Sequence, residues 1–306
     1  MANVSVAADK ATGPVTTGPA VSRLRSPKLG AWLGVLPFMA FALLFLILPT
    51  LFLVVSAFVD REGNLTLQNI VDLGSDQVIN AFWISIRVSA TSAFFGAAIG
   101  LAIALAIIRG RLPGAIRSTV MTFSGVASNF AGLPLAFAFI ATLGRLGLLM
   151  VILKTVFGFD IYKAGFNLLS FTGLTLTYLY FQIPLMILII APAIDGLKRE
   201  WSEAASTLGA TRLQFWLHIG LPVLWPNLLG TLSLLFANAF GAIATAYALT
   251  GSSLNIVPIL LYAQIRGDVL HNPGLGAALA LGMIVITALA NVIYIVVRTR
   301  AERWLK

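Results

Sequence analysis

The sequence contains no cysteine, which removes disulfides, thiol nucleophiles and cysteine-ligated metals from consideration. Charge is scarce as well. Asp, Glu, Lys and Arg make up 10% of the 306 residues, against roughly a quarter in an ordinary soluble domain. No GxxxxGK[ST] segment is present, so the chain binds no ATP through a P-loop. There are two histidines, His218 and His271, and the topology below puts them on opposite sides of a membrane, where they cannot share a metal. No carboxylate lies in the middle of any long apolar run. Intramembrane acids are the usual carriers of proton or sodium coupling, because placing them there costs several kcal/mol. Their absence argues against ion-driven transport and leaves open only coupling through carbonyls and hydroxyls.

What is present is apolar: 59% of residues are hydrophobic and the mean hydropathy is +0.95. No soluble fold hides that much apolar surface, so the solvent is lipid. Six runs approach or exceed the ~20 residues a helix needs to cross hydrocarbon: 29–59, 80–108, 119–143, 168–194, 223–249 and 274–297. Pro37 and Pro49 fall in the first, Pro134 in the third, and Pro184 and Pro192 in the fourth. Such prolines kink membrane helices and free carbonyls that neighbours must satisfy. Residues 1–28, with Lys10, Arg23, Arg25 and Lys28 among Ala, Thr, Ser, Gly and Pro, read as a disordered basic tail rather than a signal peptide. The net charge of +9 is a topology signal here, not a nucleic-acid footprint. With the N-terminus inside, fourteen of the twenty Lys and Arg residues are cytoplasmic and five are outside, leaving Arg87 within the second run. That asymmetry fixes N-in, C-in. The stretch from about 250 to 273 is half apolar and reads as a helix lying in the outer interface.

One long, patterned and polar stretch stands apart, Glu203 to Pro222, EAASTLGATRLQFWLHIGLP. It reads as two short helical pieces, Glu203–Leu208 and Arg212–Ile219, around a turn at Gly209, with Pro222 ending it. Leu213, Trp216, Leu217 and Gly220 recur at helical spacing and give the second piece an apolar face. The topology places this loop, 195–222 with its flanks, in the cytoplasm. Within the spans, polarity is neutral. Asn129, Tyr178, Gln182, Asn238 and Tyr247 are candidates for a solute pathway, each against the plainer reading of interhelical hydrogen bonding or a headgroup-level tyrosine. Arg87, near the outer end of its run, is read as snorkelling to the interface, with a contact to an anionic solute as the sharper alternative. No nucleophile, acid pair or metal set converges, so an intramembrane enzyme is not indicated.

The cytoplasmic stretch resembles the EAA loop of permease subunits of binding-protein-dependent type I ABC importers. The matching positions are Glu203, Ala204, Ala205, Gly209, Ile219, Leu221 and Pro222. The resemblance implies an all-α, six-span permease fold over 29–306. It implies that Glu203, Ala204, Ala205 and Gly209 form the docking turn on a separate ATPase. Leu213, Trp216 and Leu217 join them from the helical pattern, Trp216 and Leu217 packing on the ATPase or on the membrane helices. It implies ATP and Mg on that ATPase with no cofactor on this chain, a second permease subunit, an extracytoplasmic solute-binding protein, and a bacterial inner-membrane location. The runs 129–139, 192–205 and 237–251 look most like the spermidine/putrescine branch, which makes a polyamine the expected solute. Phosphonate, oxyanion and iron(III) are the alternatives within the class, and a stand-alone secondary transporter is the alternative outside it.

Overall fold

A backbone in hydrocarbon must satisfy its own N–H and C=O groups, so apolar runs of this length become helices. The computed structural model describes residues 29–110, 112–266 and 271–302; the expected basic tail, 1–28, lies outside them. In chain order the helices are α1 (Leu29–Ala42), α2 (Leu48–Ser56), α3 (Gln68–Val71), α4 (Asp76–Arg109), α5 (Gly114–Asn129), α6 (Leu133–Leu143), α7 (Leu148–Val156), α8 (Phe171–Asp195), α9 (Arg199–Thr207), α10 (Arg212–Phe215), α11 (Leu221–Phe240), α12 (Ile243–Thr250), α13 (Val257–Arg266) and α14 (Pro273–Glu302). Among the described residues, six stretches are long and apolar enough to cross a membrane: Gly34–Ser56, Asp76–Arg109, Leu133–Val156, Phe171–Asp195, Arg212–Phe240 and Pro273–Arg300.

The described residues form two units, one ending at Leu51 and the other beginning at Phe52. In the first, α1 passes through a π-turn at Leu43–Ile47 into α2, and the Leu48 N–H bonds the Leu43 carbonyl five residues back. Pro49 follows directly. A proline has no N–H and its ring crowds the carbonyl four residues earlier, and a wider turn just ahead of it relieves both problems.

In the second unit α8 is the central helix. Its span is 61% buried, against 33% for α4, and it packs along α4, α5 and α11. Two of the buried clusters are built on α8. One, built on Leu135, Leu174, Tyr178, Phe181, Ala246 and Leu249, joins α8 to α6 and α12. The other, built on Ile107, Met186, Ile190, Ile194, Leu197, Leu224 and Leu235, joins α8 to α4 and α11. The α4–α8 contact depends on missing side chains. A Cβ at Gly96 would lie 2.7 Å from Gln182 Cβ, and one at Gly100 would lie 2.6 Å from Met186 Cβ. Small residues are how membrane helices approach closely when hydrophobic force between them is absent.

The second, fourth and sixth expected runs match α4, α8 and α14 to within a few residues. The third and fifth do not. The expected span 119–143 is interrupted at Phe130–Gly132, and α6 restarts with Gly132 at φ +76° and Pro134 in its first turn. Pro134 cannot continue the α5 ladder and disfavours helix at the residue before it, yet it suits a new first turn. The expected span 223–249 is likewise split: the span that ends with α11 begins well before it, at Arg212, and the chain breaks at Gly241–Ala242 ahead of α12. The interfacial helix expected within 250–273 exists as α13, but Val257, Pro258, Ile259 and Leu260 are buried. It packs on α4 and α14, because its apolar residues cover those helices instead of facing lipid.

Gly100→Val should overpack α4 against α8 and destabilise by about 1–3 kcal/mol, lowering the thermal unfolding midpoint in detergent. Gly125→Ala, whose added Cβ would have nothing within 4 Å, should not lower that midpoint, since alanine is the better helix former.

Candidate functional site: a helical hairpin and paired helix breaks

The polar stretch forms a helical hairpin. Lys198 is extended and caps α9, and Glu200 in the first turn complements the helix dipole. At the other end the Gly209 N–H bonds the Ser206 carbonyl (3.0 Å) and the Ala210 N–H bonds the Ala205 carbonyl (2.9 Å). This is a Schellman closure with its glycine at φ +81°. A Cβ at Gly209 would have nothing within 4 Å, so the glycine is required by its backbone conformation and not by space. Thr211 then starts α10 with a capping box. Its hydroxyl accepts from the Gln214 N–H, and the Gln214 Oε1 accepts from the Thr211 N–H.

From α10 the chain does not stop at Pro222. It runs through a π-turn, Trp216–Gly220, in which the Leu221 N–H bonds the Trp216 carbonyl, and enters α11 as one continuous span. The π-turn ends two residues before Pro222, as the π-turn at Leu43–Ile47 ends two residues before Pro49. The expected separate helix Arg212–Ile219 is therefore the leading end of a membrane span. The wider turn also divides the expected apolar face. Trp216 packs against the α4–α8–α11 cluster, with its ring so close to Gly220 that a Cβ there would sit 2.5 Å from Cε3. Leu213 and Leu217 are 68% and 54% exposed. Glu203 and Ala204 are exposed and Ala205 is buried. Leu208, at the tip, is 87% exposed. Between α9 and the π-turn lies a cleft of about 360 Å³ lined by Ala205, Leu208, Gly209, Gln214, Phe215 and His218. The His218 Nδ1 donates to the Gln214 carbonyl at 3.0 Å.

The two helix breaks lie against each other. The Gly132 N–H donates to Thr245 Oγ1 at 2.7 Å, and the Tyr178 hydroxyl donates to the Ala242 carbonyl at 2.9 Å. Asn129, immediately before the first break, and Asn238, three residues before the second, are exposed. Tyr247 is 48% exposed and packs on Tyr262 of α13, with ring centroids 5.1 Å apart. Tyr178 and Gln182 sit in the core, 2% and 0% exposed. Gln182 Nε2 donates to the Leu235 carbonyl at 2.8 Å, while its Oε1 faces no donor. The structure thus leaves Asn129, Asn238 and Tyr247 exposed and uses Tyr178 and Gln182 to hold backbone carbonyls. Arg87 is exposed and lies 5.2 Å from the ring centroid of Phe171, the first residue of α8. It is level with the end of α8 remote from the hairpin, where an arginine can snorkel.

A family profile described as binding-protein-dependent transport system inner membrane component matches residues 96–305. The chain belongs to this family. Its six apolar helices make it a multi-pass protein of the bacterial plasma membrane. It is 26% identical over 197 residues to the sulfate transport system permease protein of Salmonella typhimurium, covering 62% of this chain and 66% of that one, just under two thirds of its length. It is 26% identical over 215 residues to the molybdenum transport system permease protein of Mycobacterium tuberculosis, covering 68% and 75%. It is 26% identical over 244 residues to a ferric transport system permease protein of Actinobacillus pleuropneumoniae, covering 78% of this chain and 34% of the other. Among solved structures, a bacterial ABC transporter that imports the acidic polysaccharide alginate shares the fold. The TM-score is 0.68, with 20% identity and coverage of 90% and 96%.

Sequence reasoning on this inner-membrane component passed over Leu208, whose exposure became visible only once the turn was closed. It also read Arg109, Arg117 and Asp195 for topology or not at all. The Gly209 geometry gives a direct test. Gly209→Asn, which enters the left-handed region readily, should retain ATPase co-purification, whereas Gly209→Val should cost about 1–2 kcal/mol in that conformation and lose it. If Asn also fails, the surface at 209 and not the turn is what the partner reads.

Proposed function

We propose that this chain is one permease subunit of an importer powered by a separate ATPase, with the α9–α10 hairpin as the part that docks on it. The observation that carries this reading is the hairpin itself. It is a rigidly closed turn that exposes Leu208, Leu213 and Leu217 at its surface while Trp216 ties it to the membrane core. Exposed leucines on an otherwise polar loop fit helix-in-groove recognition. In this reading ATP and Mg are handled by the ATPase, since the chain has no P-loop. The hairpin end is cytoplasmic, with both termini on that side. The paired breaks at 130–132 and 241–242, with Asn129, Asn238 and Tyr247 beside them, face the pathway shared with a second permease subunit. Close to the opposite end, a cavity of about 610 Å³ lined by Asp60, Arg61, Asn69, Asp72 and His271 offers polar surface to a solute-binding protein. The solved alginate importer was captured with its periplasmic binding protein.

For the solute we infer a small oxyanion. Two relatives are named for sulfate and molybdenum transport, the described spans carry no carboxylate away from their ends, and the one charged residue between the two ends of α4 is a cation, Arg87, toward the end remote from the hairpin. Guanidinium groups suit oxyanions. The polyamine reading, drawn from the 129–139 and 237–251 runs, competes directly and predicts the opposite charge of solute. Uptake of labelled sulfate, molybdate and spermidine into membrane vesicles carrying the permease pair, ATPase and binding protein separates them. One oxyanion should accumulate, require ATP and persist when ion gradients are dissipated. Uptake of spermidine alone would transfer the assignment to polyamines and leave the importer reading standing. Uptake that continues without the ATPase would overturn the importer itself.

A further inference from the structure

A second set of residues ties the hairpin to the membrane helices, and it lies where the hairpin leaves α8. Arg109, the last residue of α4, sends one guanidinium nitrogen, Nη2, to the carbonyls of Ile194 (2.8 Å) and Leu197 (2.6 Å). Ile194 is in the last turn of α8, where its carbonyl also accepts from the Leu197 N–H (3.2 Å), and Leu197 lies two residues past the helix end; both residues are buried, at 0% and 3% exposure. The same guanidinium also sits at the C-terminus of α4, so the negative ends of two helices share one cation. Its Nε is buried without a partner, so the guanidinium is held in place by the two carbonyls despite leaving a donor unpaired. At the next residue of α8, Asp195, Arg117 of α5 forms an ion pair at 2.6 Å. The two cations thus clamp α8 from α4 and from α5.

The position of the clamp gives it a mechanical meaning. Between the clamped Leu197 carbonyl and the first residue of α9, Arg199, lies a single residue, Lys198. A displacement of the hairpin has almost no slack chain in which to dissipate. On the other side of the clamp, α5 runs without interruption from Gly114 to Asn129, directly into the break at 130–132. We propose that Arg109 and the Arg117–Asp195 pair form a strut that makes the hairpin, the end of α8, and α5 move as one body. ATPase-driven motion of the hairpin then arrives at the helix break instead of being absorbed by a loop. Arg109 is a positioning residue in this scheme: it touches neither solute nor nucleotide. The proposal rests on the docking role assigned to the hairpin.

The absence of native cysteine makes the test direct. Spin labels at Ser202→Cys on α9 and Val126→Cys on α5, both exposed positions, report their separation by electron paramagnetic resonance in the assembled transporter, nucleotide-free and ATP-vanadate-trapped. In the otherwise unaltered chain the distance should be the same in both states. In Arg109→Gln it should differ between states or broaden, because α9 then moves without α5. Arg117→Asp and Asp195→Arg should each broaden the distribution, and the two together should restore it, since the pair is half-exposed and reversible in sign. The double reversal also decides the matter if Arg109→Gln fails to assemble. A state-dependent distance in the unaltered chain would overturn the strut, as would an Arg109→Gln chain indistinguishable from it or a double reversal no better than its singles. Failure of the unaltered chain to retain any ATPase would overturn the docking reading, and the strut with it, and is recognised before any distance is measured.

Discussion

In a bilayer every backbone polar group that leaves a helix ladder must find a partner inside the protein, and the architecture follows from how this chain meets that demand. Several interruptions have a named solution. The break at 130–132 is held by Thr245 accepting from Gly132, and the break at 241–242 by Tyr178 donating to Ala242. The prolines at 49 and 222 are carried through by π-turns that end two residues before them. The end of α8 is served by Arg109. Because the first of these bonds ties one break to the start of the helix that follows the other, the breaks become a single structural feature flanked by exposed asparagines.

The same demand shapes the hairpin. Outside the hydrocarbon, water could satisfy a loose loop, yet α9 is closed by a Schellman turn and α10 opens with a capping box. A loop with no mechanical role gains little from such definition. Trp216 sets the hairpin against the α4–α8–α11 core, and the π-turn lets α10 continue into α11, so the second arm of the hairpin is a membrane span. The first arm is one residue from a clamped helix end. Both arms are therefore coupled to the membrane domain by short, stiff paths, which is what a part that relays force requires.

Much of this was readable from the sequence. α4, α8 and α14 are long uninterrupted apolar runs, and their limits could be placed from composition alone. The hairpin was visible because Glu203, Ala204, Ala205 and Gly209 keep a fixed spacing and Gly209 has a backbone requirement that residue type reveals. The helix breaks were not readable. Pro184 and Pro192 lie inside an unbroken α8, whereas Pro134 begins a new helix. The difference depends on Gly132 taking positive φ and on Thr245, 113 residues away. Nor could sequence divide the polar span residues: Tyr178 and Gln182 turn inward and Asn129 and Asn238 do not, because a helix of nearly uniform hydrophobicity gives no indication of its buried face. Arg109 looked like one more topology-setting charge, since its acceptors are backbone carbonyls that no residue pattern marks.

The central claim is that the tip of this hairpin is the surface an ATPase grips. A chain without cysteine allows that to be tested with one thiol. Leu208→Cys, carried in the assembled complex, should cross-link to the ATPase subunit with a short bifunctional reagent that pairs a thiol-reactive and an amine-reactive end. Tyr262→Cys on α13, in the segment remote from the hairpin, should not. Cross-linking at Tyr262 in place of Leu208, or at neither position in a complex that still hydrolyses ATP, would contradict the account.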